Sequence, residues 1–260
     1  MKVGLGQFAV APEWRDNLES CRTLITRARS EHADLLVLPE GILARNASDP
    51  GILERTAQPL DGPFITELLP HTHGLTVVGC VMVPNADGRL FNTLVVLQDG
   101  VLATAYNKLH LYDAFDKRES DKITPGQDLP PIIRVKDMQV GLMTCYDIRF
   151  PEVARHLTFS GADVLAIPAA WLRGPNKERH WEILNVARAL ENTCYVVAVG
   201  ECGPSNIGAS MVVDPLGIIT TALGESPGLG FATLEHNRLE HARSVLPVLN
   251  NCRFTPPTLK

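Results

Sequence analysis

A chain of 260 residues, 45% hydrophobic and 20% charged, can bury a full core, and it reads as a soluble globular protein forming a single domain over residues 1–260. A net charge of −5 without a basic run argues against a nucleic-acid partner, and the absence of any apolar run of spanning length argues against a membrane partner. The six cysteines, at 21, 80, 145, 194, 202 and 252, are scattered with no CxxC pair, which disfavours a disulfide framework or a zinc site and fits reduced thiols in the cytoplasm.

In chain order, Met1 to Phe8 lacks the long apolar region and cleavage site of a signal peptide and reads as the start of a first strand, Lys2 to Ala9. Asn17 to His32 carries Leu18, Cys21, Leu24, Ile25 and Ala28 at helical spacing. Leu35 to Leu38 is short and wholly apolar, the pattern of a strand buried on both faces, and Glu40 stands just past its end behind Pro39. Pro63 to His71 suits a short helix. Leu75 to Val83, Leu90 to Leu97 and Val101 to Tyr106 are strand-like, divided by the hairpin signals Asn85-Ala86-Asp87-Gly88 and Asp99-Gly100. Lys108 and His110 follow the third of them. Asp113 to Gln127 is polar and reads as a loop. Ile132 to Val135 and Met138 to Met143 form a hairpin that delivers Cys145. Pro151 to Ser160 is helical, Ala162 to Ile167 is another buried strand, and Lys177 to Glu191 is a helix. Cys194 to Gly200, Ser210 to Val213, Ile218 to Ala222 and Gly230 to Leu234 are strands. The tail from Leu246 is Pro-rich and reads as irregular. The order of elements points to mixed α/β architecture with helices outside the sheet.

Three features stand at strand ends, where active sites gather in such sheets: Glu40, Lys108 and Cys145. Cys145 lies between a strand and the helix start Pro151-Glu152, where a helix N-terminus favours a thiolate and free N–H groups can hold an oxyanion. Each residue alone has an ordinary reading: a buried core thiol, a solvated loop carboxylate, a solvated lysine. His110 alone suits a hydrogen-bonded structural role. Together, a carboxylate that accepts the thiol proton and an ammonium that stabilises a developing anion support acyl transfer without a metal or organic cofactor.

The Leu38-Pro39-Glu40 run, Lys108-Leu109-His110-Leu111, and Cys145 to Glu152, in this order and with these gaps, resemble the nitrilase superfamily of carbon–nitrogen hydrolases. The resemblance runs nearly end to end. It implies a four-layer α-β-β-α sandwich that pairs through helices into a homodimer or a higher oligomer. It also implies Glu40 as general base, Lys108 as oxyanion stabiliser and Cys145 as nucleophile, with Glu119 as a second glutamate positioning Lys108 and the substrate. Within the superfamily, Thr144 to Glu152, Trp171 to Trp181, Glu201-Cys202-Gly203 and Leu246-Pro247-Val248 are most similar to the deaminated glutathione amidases; Cys252 departs from the basic residue common there. Members of that subgroup release 2-oxoglutarate and cysteinylglycine from the 2-oxo acid amide. The alternatives are an ω-amidase acting on 2-oxoglutaramate or 2-oxosuccinamate, an N-carbamoyl amino acid hydrolase, and a catalytically silent binding relative. A small 2-oxo acid amide brings a carboxylate, for which Arg149 and Arg173 are the expected cations. Trp171 and Trp181 are expected in the pocket wall, against the ordinary reading of an aromatic on a helix's inner face as core, and the Tyr146 N–H as an oxyanion donor.

Overall fold

The computed structural model describes residues 1–49, 51–115 and 117–259. One six-stranded sheet contains β1 (Lys2–Gln7), β2 (Leu35–Val37), β3 (Thr76–Pro84), β4 (Leu90–Gln98), β5 (Val101–Asn107) and β14 (Gly228–Thr233), in the order β14-β1-β2-β3-β4-β5. A second contains β8 (Ile132–Val135), β9 (Met138–Leu142), β10 (Val164–Ala169), β11 (Tyr195–Gly200), β12 (Met211–Val213) and β13 (Ile219–Ala222), in the order β13-β12-β11-β10-β9-β8.

Strand chemistry dictates how these sheets stack. In β2, Leu35 and Val37 enter the core between the sheets, whereas Leu36 and the following Leu38 face the outer helices. Both faces are therefore buried, which is why the run has no polar alternation. Each such fully buried aliphatic side chain contributes roughly 1.5–3 kcal/mol. Val140, Leu142, Val164 and Ala166 supply the facing half of the inner core.

Parallel neighbours need crossovers, and the helices provide them. β1 and β2 pair in parallel, joined by α1 (Trp14–Ser30), which buries Leu18, Cys21, Leu24, Ile25 and Ala28 beside α3 (Pro63–Leu68). β9, β10 and β11 pair in parallel through α4 (Pro151–Phe159) and α5 (Lys177–Asn192), whose buried faces cover the second sheet. The layers are helix, sheet, sheet, helix. β3, β4 and β5 form the expected antiparallel meander, and its turns place Gly88 and Gly100 both at φ +83°.

Several expectations are corrected. Asp113 to Gln127 is not simply a loop. It holds a short ribbon, β6 (Asp113–Ala114) with β7 (Lys117–Arg118), and a 3-10 turn at Glu119–Asp121; residue 116 of that stretch lies outside the described residues. Polar contacts make this ribbon, such as the Ser120 N–H to Asp113 Oδ1 at 3.0 Å, so no apolar pattern announces it. The tail contains one helical turn, α7 (Val248–Asn251), and its residue 260 lies outside the described residues. Two helices carried no sequence expectation: α2 (Ile52–Thr56), too short for a period, and α6 (His236–Val245). α6 buries only Leu239 and Ala242, and the ion pairs Arg238–Asp214 and Arg243–Asp163 tie it down.

Candidate active site

Strand ends converge at one edge of the sandwich. Glu40 follows β2, Lys108 follows β5, Cys145 follows β9 and Ala170 follows β10. Glu119 reaches the same place from the 3-10 turn after the ribbon. The Lys108 ammonium lies 2.9 Å from Glu40 Oε1 and 2.8 Å from Glu119 Oε2. Asn92 Nδ2 donates to both carboxylates, at 2.7 Å to Glu40 and 3.0 Å to Glu119. The Ala170 N–H caps Glu40 Oε2 at 2.9 Å, and the Tyr112 N–H caps Glu119 Oε2 at 2.7 Å. Glu40 and Lys108 are only 5% and 2% exposed, so their charges persist because they are paired and hydrogen-bonded.

The Cys145 thiol lies against the Glu40 carboxylate and the Ala170 N–H. Burial would raise the Glu40 pKa. The Lys108 charge, hydrogen bonds from Cys145 and Lys108, and the more distant Arg45 outweigh burial and hold it well below the carboxylate range. Burial likewise works against the Lys108 cation, but Glu119 and Glu40 keep it firmly protonated. For Cys145, burial first and then the Glu40 anion push the thiol well up, against the opposing pull of Lys108. These influences favour a neutral thiol at rest beside an ionised carboxylate, against the pull of the helix start on the sulfur. An ionised sulfur would be a second negative charge against Glu40. The geometry suits proton transfer to Glu40 during attack rather than a standing thiolate.

Backbone strain marks the same residue. Cys145 opens a 3-10 turn, Cys145–Arg149, ahead of α4, and takes φ +43°. A side-chain-bearing residue there costs of order 1–3 kcal/mol and persists only where its surroundings over-determine it. Asp147 does so. Its buried carboxylate accepts the Thr144 N–H at 3.0 Å, the Tyr106 hydroxyl at 3.1 Å and the His110 N–H at 3.1 Å. His110 Nδ1 lies 2.8 Å from the same carboxylate, and its ring stacks on Phe150 at 3.7 Å. His110 is therefore the structural residue expected, and Asp147 clamps the nucleophile turn to the strand end that carries Lys108.

The four groups Glu40, Lys108, Glu119 and Cys145 line a cavity of about 680 Å³. Trp171 forms part of the wall, with its Nε1 donating to the Lys177 carbonyl at 2.9 Å, whereas Trp181 does not line the cavity and is fully buried in the core. Tyr146, second in the nucleophile turn, packs edge-on against Tyr112 with ring centroids 5.1 Å apart. The two expected carboxylate-binding arginines differ. Arg173 lines the cavity but is ion-paired to Glu225 at 2.9 Å. Arg149 is not among the residues lining this cavity; its guanidinium lies over the Trp171 ring, 4.8 Å from the centroid.

Sequence reasoning gave no role to Asn92, Asp147, Arg45 or Lys177. Asn92 had a signal, an amide inside an apolar strand. Arg45 lines the cavity, donates to the Glu40 carbonyl at 3.2 Å and pairs at 2.5 Å with Glu201, whose pKa burial pushes up to about 7 despite that partner. Lys177 also had a signal: it is the first residue of a helix, where a cation opposes the macrodipole by about 0.3–1 kcal/mol.

The carbon–nitrogen hydrolase family pattern matches residues 2–244. The chain is 46% identical over 261 residues to deaminated glutathione amidase of Escherichia coli O157:H7, covering 100% of both chains. Nit3 of Saccharomyces cerevisiae, a member of branch 10 of the nitrilase superfamily, superposes with a TM-score of 0.85 at 27% identity, over 98% of this chain and 97% of that one. An amidase from Nesterenkonia sp. AN1, in a mutant form carrying a Michael adduct of acrylamide on its active-site cysteine, superposes with a TM-score of 0.80 at 26% identity, over 95% and 98% of the two chains.

Proposed function

The chain belongs to the carbon–nitrogen hydrolase family, and from that membership we propose that Glu40, Lys108 and Cys145 hydrolyse the amide of deaminated glutathione, giving 2-oxoglutarate and cysteinylglycine. The observation that carries the chemistry is the buried pairing of Lys108 with Glu40 and Glu119, with the Cys145 thiol against Glu40 on a cavity wall. Full-length similarity to an amidase of that name supports the substrate.

The steps follow from the geometry. Cys145 Sγ attacks the amide carbon while its proton passes to the Glu40 carboxylate. Negative charge gathers on the carbonyl oxygen, facing the Lys108 ammonium and the Tyr146 N–H at the start of the turn. The tetrahedral adduct expels the amine, which takes the proton from Glu40, and a thioester remains on Cys145. Water then gives Glu40 a proton as it attacks the thioester; 2-oxoglutarate leaves and the thiol regains its proton. Glu119 holds Lys108 in place throughout.

Substrate comparison tests this reading. Purified protein should show its highest kcat/KM on deaminated glutathione, less on 2-oxoglutaramate and least on an N-carbamoyl amino acid. The dipeptide end supplies remote binding energy that can raise turnover at the reacting amide. Equal or faster 2-oxoglutaramate turnover would make the protein an ω-amidase. Preference for the carbamoyl compound would remove both oxo-acid readings.

No described helix is long and apolar enough to cross a membrane. We place the enzyme in the cytoplasm, in keeping with its free cysteines. It acts there as a homodimer joined through outer helices, a pairing that the exposed Ile183 and Leu190 of α5, 51% and 42% accessible, support. Sedimentation as a monomer at micromolar concentration would remove the dimer.

A further inference from the structure

Among the described residues, Lys177 is a buried cation of the cavity that faces no carboxylate. It is only 6% exposed and lines the same cavity as Cys145. Its ammonium donates to Tyr112 Oη at 2.7 Å and sits 3.9 Å from the Phe115 ring centroid, 5.1 Å from that of Tyr112 and 5.9 Å from that of Trp171. Among the described residues it has no carboxylate within ion-pair distance. Other cations of the wall differ: Lys108, Arg45, Arg118, Lys122 and Arg173 each face a carboxylate, and Lys117 is open to water.

Two independent features make this place attractive to an anion. A buried ammonium held by a phenol and aromatic faces gains little compensation for lost water. In addition, Lys177 is the first residue of α5, a helix of 16 residues, so the partial positive charge of the helix terminus adds to its own. The position in the site is specific as well. The Ala170 N–H meets the Glu40 carboxylate and the Cys145 thiol. Trp171, the next residue, closes over Lys177 through its indole N–H. Tyr112, which receives the Lys177 ammonium, donates its own N–H to Glu119. Lys177 is thus bound into the walls that carry the nucleophile and the second glutamate.

We propose that Lys177, with Tyr112 and the first turn of α5, receives the carboxylate at the acyl end of a 2-oxo acid amide and so selects anionic acyl groups. This rests on the function proposed above and assigns to Lys177 the carboxylate-binding role first expected of Arg149 or Arg173. Arg173 already faces Glu225.

The test uses 2-oxoglutarate, the acyl product, as the probe. Alkylation of Cys145 by iodoacetamide is followed by peptide mass spectrometry in wild type, Lys177→Met and Lys177→Gln, with and without 2-oxoglutarate. Glutamine can still reach the Tyr112 hydroxyl, which guards against collapse of the aromatic box in the methionine variant. Without the probe, alkylation should change by less than about threefold. With it, half-protection should need on the order of 100-fold more 2-oxoglutarate in both variants. The kcat/KM on 2-oxoglutaramate and on deaminated glutathione should fall together by a similar factor. Unchanged protection in either variant overturns the proposal. So does a loss confined to deaminated glutathione, which would put the bound carboxylate on the amine side. Loss of alkylation in both variants without the probe would make Lys177 structural and overturn it equally. Wild-type turnover of the two oxo acids tests the function itself, whereas only the variant-to-wild-type ratio tests Lys177.

Discussion

Cys145→Ala is expected to bring amide hydrolysis to background, a loss of roughly 10⁴-fold or more, with the fold retained. No other atom of the site can form the thioester, whereas Lys108, Glu119 and Asn92 still satisfy the Glu40 network. Stability should move little, because alanine bears the same strain at φ +43° as cysteine does. Cys145→Ser should be nearly as inactive. A hydroxyl proton is far harder to remove than a thiol proton, and a carboxylate held well below its usual pKa is a weak acceptor for it. Single-turnover hydrolysis and intact-mass detection of the acyl-enzyme check both variants. Substantial turnover by the alanine form would remove the nucleophile assignment.

The sequence carries the chemistry of single residues better than the forces between them. Leu35 to Leu38 and Val140 to Met143 announce buried strands because both faces must be apolar. What stands at their ends, Glu40 and Cys145, is therefore legible too. The acidity of the thiol is not legible in the local sequence, for a physical reason. Local sequence shows a helix start, which lowers a thiol pKa. Burial and the Glu40 anion, which raise it, come from the folded sandwich. Asp147 has the same history: it looks like an ordinary turn residue until Tyr106 and His110 arrive from another sheet. Lys177 becomes informative only when the carboxylates around it can be searched. The ribbon near Asp113 escapes because it is held by polar groups with no period, and α6 escapes because ion pairs hold more of it than buried apolar side chains do.

Glu40→Gln should separate proton transfer from thiol availability. The amide keeps the shape of the carboxylate but cannot accept the thiol proton, so kcat should fall about 10³-fold with KM nearly unchanged. Lys108 remains charged through Glu119 at 2.8 Å, so the oxyanion site survives. Glu119→Gln should cost less, because Glu40 still accepts the thiol proton and still pairs with Lys108 at 2.9 Å. The thiol should respond in the opposite sense to the rate. Glu40 raises the Cys145 pKa both by its charge and by its hydrogen bond, while Lys108 lowers it. Removing the Glu40 charge leaves the lysine's influence, so the thiolate forms at lower pH in Glu40→Gln than in wild type. The midpoint of Cys145 alkylation with pH should therefore move down in the variant whose hydrolysis has been lost. Loss of the general base is expected to make the nucleophile easier to ionise and the reaction slower. Near-normal kcat in Glu40→Gln, or an alkylation midpoint displaced upward, would show that the proton leaves Cys145 by another route.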